Sequence, residues 1–248
     1  MASIASQLVL HPSVSRALKL GSTTLGRDKL YRAVQNFARA YSWVLALRGH
    51  KEDSARWNAM KSHLAIARKL LRLGKPMEHL QAALKATISA DPPIEQILAV
   101  ARQLAYFSYL AFDMLTWAHT IKFLSLESSA AAKILRVANR SWLAGILFGI
   151  THAAVKTARL SREAKLLKHQ QFSEKDVGSK MDGQSRLQAI SKTKDAVRHQ
   201  FIMDALDVWT PATNLGWSSM NDGFVGTFAM ISSLMALQKQ WEAVGGTK

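Results

Sequence analysis

The feature that most constrains this chain is its apolar spacing. Hydrophobic residues return every three or four positions almost throughout, and runs that alternate at every second position are absent. The first spacing gathers side chains on one flank of a helix; the second would gather them on one face of a strand. The expectation is an all-α protein, a bundle of amphipathic and membrane-embedded helices with no sheet.

Punctuating residues divide the pattern. His11-Pro12-Ser13 opens a short helix, proline being suited to a first turn, and Gly21 closes it. Further helices are expected over 26–49, 53–74, 76–90, 93–126 and 129–170. The polar stretch 172–184, with Gly178 and Gly183, reads as a loop. Helix resumes at Ser185, breaks around Pro211 and Gly216, and ends with a last helix over 219–243. The predicted organisation is an N-terminal amphipathic segment (1–92), long helices (93–171), a loop (172–184) and C-terminal helices (185–248).

Two N-terminal helices are strongly two-sided. In the first, Leu30, Val34, Phe37 and Tyr41 share an arc while Lys29, Arg32, Asn36 and Arg39 lie opposite. In the second, Trp57, Met60, Leu64, Ala67 and Leu71 share one face, and Lys61, Arg68, Lys69 and Arg72 form the other. No acid falls between Asp53 and Glu78, so this polar face has one sign. A soluble bundle mixes acids with bases to gain pairs one turn apart. A face of cations alone is expected to seek an external anion, and an anionic leaflet offers about 1 kcal/mol per Lys or Arg. Trp57, Met60, Lys61, Leu64, Arg68, Lys69, Leu71 and Arg72 are therefore the expected lipid-binding set, with Leu30, Val34, Phe37 and Tyr41 a second amphipathic stripe.

The whole-chain charge points the same way. Thirty-three Lys and Arg against 17 Asp and Glu give a formal charge of +16, which favours a polyanionic partner. The chain is also 48% hydrophobic with seven Trp, which favours an anionic phospholipid membrane over nucleic acid. No cysteine is present, so disulfides and thiolate chemistry are excluded. The eight histidines show no ligand spacing, and no phosphate-cradling glycine loop or nucleophile elbow occurs. No metal, no cofactor and no catalytic residue is expected; the chain does not read as an enzyme. The first ten residues lack a signal-peptide pattern, so any organelle address is expected to be internal.

No apolar stretch reaches the length of a confident transmembrane helix. Two come close: 141–155, between Arg140 and Lys156, and 223–238, between Asp222 and Lys239. Both are candidate membrane spans. Within the first, Gly145 and Gly149 have the spacing that lets two helices approach closely. A third tract, 103–121, is interrupted by Asp113.

Four motifs carry a resemblance. These are His11-Pro12-Ser13-Val14-Ser15-Arg16; Gly26-Arg27-Asp28-Lys29; Arg68-Lys69-Leu70-Leu71-Arg72-Leu73-Gly74-Lys75-Pro76 followed by His79-Leu80-Gln81-Ala82-Ala83; and Asp204-Ala205 with Asn214-Leu215-Gly216-Trp217. In this order, over nearly the whole chain, they resemble the peroxin eleven family in its fungal type. The resemblance implies a peroxisomal membrane protein that binds anionic lipid through the helix containing Trp57, elongates the membrane ahead of fission and self-associates as a homo-oligomer. It also implies contact with the peroxisomal fission machinery and with a membrane-protein import receptor. An alternative it carries is a pore for small metabolites, which Asp113 could line.

Overall fold

The computed structural model describes the backbone of residues 4–173 and 177–246, and among these every regular element is a helix. After a short α1 (Ile4–Val9) come α2 (Pro12–Ser22) and α3 (Thr24–Leu47). His11 caps α2 by accepting from the Ser13 amide at 3.2 Å, and Thr23 caps α3 through the Gly26 amide at 3.0 Å. Gly49, with φ of 82°, turns the chain into α4 (Lys51–Leu71), and Gly74, with φ of 84°, turns it into α5 (Lys75–Thr87). The Asp91-Pro92-Pro93 break starts α6 (Pro93–Thr120). It is followed by α7 (Ser128–Ser173), α8 (Val177–Asp207), the short α9 (Trp209–Asn214) and α10 (Asp222–Gly245). Asn221 caps α10, accepting from the Phe224 amide at 3.1 Å.

Packing closes six of these helices into a ring. In order around it, α3 touches α4, α4 touches α6, and α6, α7 and α8 follow one another. The ring closes where α10 bridges α8 back to α3. α5 lies against α6, α2 against α10 and α3, and α9 against α7, α8 and α10. The N-terminal and C-terminal helices thus share one assembly.

Three local expectations are corrected. The 172–184 stretch is not a loop as a whole, because α7 runs to Ser173 and α8 begins at Val177; residues 174–176 lie outside the described set. Gly178 and Gly183 cost a helix only about 1 kcal/mol each, too little to break one with helix formers around it. α6 stops at Thr120, six residues early, where Lys122 adopts a left-handed φ of 62° and ends the helix. Pro211 lies within the short α9 rather than at the break, which falls after Asn214, where Gly216 adopts a φ of 75°. As for the two candidate spans, 141–155 lies inside α7 and 223–238 inside α10. No described helix is long and apolar enough to cross a membrane.

The ring has little ordinary core. Among the described residues nearly half of the buried hydrophobic ones are alanines, Ala33, Ala38, Ala83, Ala138, Ala153, Ala229 and Ala236, while Asp28, Glu95, Asp113 and Asp204 are buried with them. Large apolar side chains point out instead, among them Leu30, Phe37, Ile97, Leu147, Phe224 and Leu234. A water-soluble bundle has the reverse arrangement.

Candidate functional site

The inner surface is held by ion pairs between helices. On α3, Asp28 takes Arg68 of α4 at 3.1 Å and Lys29 at 3.8 Å, while Arg32 reaches Asp207 of α8 at 2.6 Å. On α6, Asp113 takes both Lys69 at 3.0 Å and Arg72 at 2.9 Å. Arg102 grips both oxygens of Asp204 at 2.7 and 3.0 Å. Glu95, 1% exposed, accepts from two nitrogens of Arg159 on α7. Asp222 at the start of α10 holds Arg39 at 2.6 Å and Lys61 at 3.6 Å. Aromatic and amide groups complete the network: Arg68 donates to Gln35 at 2.7 Å and Arg72 to the Tyr109 hydroxyl at 3.1 Å.

This overturns one premise of the sequence reading. The one-signed face of α4 does not lack anions, because Lys61, Arg68, Lys69 and Arg72 all turn inward to carboxylates on α3, α6 and α10. Sequence-local reasoning could not find them, since each partner lies 40 or more residues away in the chain. A usable signal was present nonetheless. A lone acid such as Asp113, set among apolar neighbours on a helix, is costly to bury in a bundle unless a cation sits beside it.

The pairing is crowded. Burial works against the Asp28 carboxylate, but Arg68, Lys29 and Arg72 outweigh it and hold its pKa below the usual value. Burial and the neighbouring Arg32 push Lys29 down to about 8. Burial and Arg72 push Arg68 down to about 10. Burial raises Asp204 above its ordinary value in spite of Arg102. Among the described residues no group of His, Asp and Glu could hold a metal ion.

With its cations inside, α4 presents apolar groups outward beside those of α3. Leu30, Phe37 and Tyr41 are exposed, as are Met60 and Leu70, whereas Val34, Trp57, Leu64 and Leu71 are half-buried. The two stripes meet in an aromatic cluster. Phe37 stacks on Tyr41 at 5.6 Å, and Trp57 sets its ring edgewise to both, at 5.6 and 5.1 Å. The apolar stripes of α3 and α4 therefore meet at Phe37, Tyr41 and Trp57, across an antiparallel pair of helices.

Gly145 and Gly149 serve packing inside the chain. A Cβ on Gly145 would stand 3.2 Å from the Tyr106 ring, and one on Gly149 would strike the Arg102–Asp204 pair. A second close approach lies between α10 and α3. Gly226 passes the backbone of Ala40 so closely that a Cβ would lie 2.7 Å from its nitrogen, and Gly223 sits against Trp43. The sequence signal for this seam lies within the candidate span of α10, where Gly223, Gly226, Ala229 and Ser233 recur at helical spacing.

A helical bundle with charges within and apolar side chains without is the kind of protein suited to a lipid environment. The family model described as "Peroxisomal biogenesis factor 11 (PEX11)" matches residues 14–241, and the chain belongs to that family. It is 28% identical to the peroxisomal membrane protein PMP27 of Saccharomyces cerevisiae, over 97% of this chain and 99% of the relative. It is 24% identical to peroxisomal biogenesis factor 11 of Schizosaccharomyces pombe, over 93% and 96% respectively. Peroxisomal membrane protein PMP30A of Candida boidinii is also 24% identical, over 96% and 97%. No solved structure matches. The protein is thus a peroxisomal membrane protein of a biogenesis family, consistent with a part in peroxisome proliferation; that family is not a family of enzymes.

Proposed function

We propose that the protein elongates the peroxisomal membrane ahead of fission by seating the joint α3–α4 face in one leaflet. The observation that carries this reading is the outward apolar surface in which Phe37, Tyr41 and Trp57 join the two helices. Burying such groups among acyl chains is worth about 25 cal/mol per Å², and a wedge in one leaflet enlarges that leaflet and favours curvature. Met60 and Leu64 extend the face along α4, and Leu30 extends it along α3. Lys61, Arg68, Lys69 and Arg72 act as ties that keep both stripes turned out. Attraction to anionic phospholipid then rests on exposed cations such as Arg27, Lys51, Arg56 and Lys85 and on the chain's net charge.

Self-association, recruitment of the fission machinery and delivery by a membrane-protein import receptor belong to the same proposal and rest on the family likeness. The test is reconstitution of the full chain into liposomes that contain anionic lipid. Phe37→Glu with Met60→Glu should abolish tubule formation while the protein still binds the vesicles; normal tubulation by this variant would remove the wedge.

A second reading, a pathway for small metabolites, is favoured by one observation: the helices of the ring surround an open cavity of about 1120 Å³ lined by charged side chains. Planar-bilayer conductance of the purified protein would separate the two readings.

A further inference from the structure

The cavity inside the ring carries more cations than its carboxylates can match. Nine Lys and Arg line it, from Lys29, Arg32 and Arg39 on α3 to Lys75 on α5 and Arg102 on α6, against Asp28, Glu78, Asp113, Asp204 and Asp207. The pairing pattern locates the surplus. Asp28 is shared by Arg68 and Lys29, Asp113 by Arg72 and Lys69, and Asp222 by Arg39 and Lys61. In each set an arginine lies at 3.1 Å or less and a lysine shares the same carboxylate, Lys29 at 3.8 Å, Lys61 at 3.6 Å and Lys69 at 3.0 Å, so each set holds one positive charge more than its carboxylate can match. Two charge states record the strain of the crowding: Lys29 and Arg68 both hold their protons less firmly than usual, through burial and through neighbouring arginines. A cluster of half-buried cations such as this is stabilised by an added anion more strongly than the same charges are in bulk water.

We propose that this cavity is a binding site for a small, multiply charged anion bearing phosphate groups, held by Lys29, Lys61 and Lys69 together with the arginines beside them. The volume is ample for such a ligand, since pockets for small molecules run from about 300 to 1,000 Å³. The proposal goes beyond membrane elongation and does not require conduction. Its ligand chemistry has two sources, a soluble polyphosphate or the headgroup of a phosphoinositide.

The experiment uses the full chain in neutral detergent, with binding of tripolyphosphate and of inositol 1,4,5-trisphosphate read by calorimetry. Saturable binding of one equivalent is expected for at least one probe, and the tighter of the two identifies the source. The triple variant Lys29→Gln, Lys61→Gln, Lys69→Gln removes the surplus while leaving Asp28, Asp113 and Asp222 an arginine each. It should retain its thermal unfolding transition and lose affinity by about tenfold or more. A control variant, Lys19→Gln, Lys133→Gln, Lys239→Gln, removes three exposed charges outside the cavity and should bind as the unmodified protein does. The proposal is overturned if neither probe binds saturably, if the cavity variant binds normally, or if the control loses as much affinity as the cavity variant.

Discussion

α4 and α10 are seated in the same ring by opposite means. α4 is rich in cations and is tied down by charge, through Asp28 on α3, Asp113 on α6 and Asp222 on α10. α10 carries an uncharged middle and is seated by smallness: Gly223, Gly226, Ala229, Ser232, Ser233 and Ala236 are buried, which lets its backbone meet that of α3. Both devices do the work that large apolar side chains do in a water-soluble bundle, and both release those side chains to the outside. Phe224, Ile231 and Leu234 leave α10 on the outer side just as Met60 and Leu70 leave α4. Where the surroundings are apolar, burying Leu or Phe offers little gain, and helix association rests on polar ties and close packing.

The difference makes the two helices fail differently. The largest effect is expected from Asp113→Ala, which strands two cations, Lys69 and Arg72, on the inner face. Leaving buried charge unpaired costs about 3–5 kcal/mol, and thermal unfolding in detergent should show a correspondingly lower midpoint. Gly226→Val breaks the other device. Its Cβ would meet the Ala40 backbone, which cannot step aside, and overpacking of this kind costs about 1–3 kcal/mol. If Gly226→Val proved silent, α10 would not rest on close packing, and the contrast would collapse to ion pairs alone.

The smallest effect is a pH dependence. Lys29 sits near 8 in the folded protein against an ordinary 10.5, so between these values the unfolded chain binds more protons than the folded one. Stability contributed by this group therefore rises as pH increases from 8 toward 10.5. Lys29→Met should flatten that rise relative to the unmodified protein, as read by urea unfolding at a series of pH values.

Much of this was legible in the sequence. Helical spacing defined the element type throughout. His11-Pro12, Gly49, Gly74 and Asp91-Pro92-Pro93 marked true boundaries, because each fixes a backbone state that a helix end needs. Of the apolar stripes of α3 and α4, Leu30, Phe37, Tyr41 and Met60 reach the surface, while Val34, Trp57, Leu64 and Leu71 are half-buried. Their direction was not legible: an amphipathic pattern says which residues share a face but not whether that face meets protein or lipid. The cations of α4 were misassigned for the same reason, since their carboxylates arrive from helices distant in sequence. Gly178 and Gly183 misled in the other direction, because a modest local propensity was read as a break while the surrounding α8 carried helix through.

The central claim is that the α3–α4 surface meets lipid, and the absence of native cysteine allows it to be tested without background. A single cysteine replacing Met60, labelled with an environment-sensitive fluorophore and reconstituted into peroxisome-like liposomes, reports directly on its surroundings. Blue-shifted emission that is quenched by nitroxide-bearing lipid and protected from aqueous iodide is expected, with the opposite pattern from a label at exposed Ser62. Iodide-accessible, unshifted emission at position 60 in vesicles that carry the folded protein would contradict it.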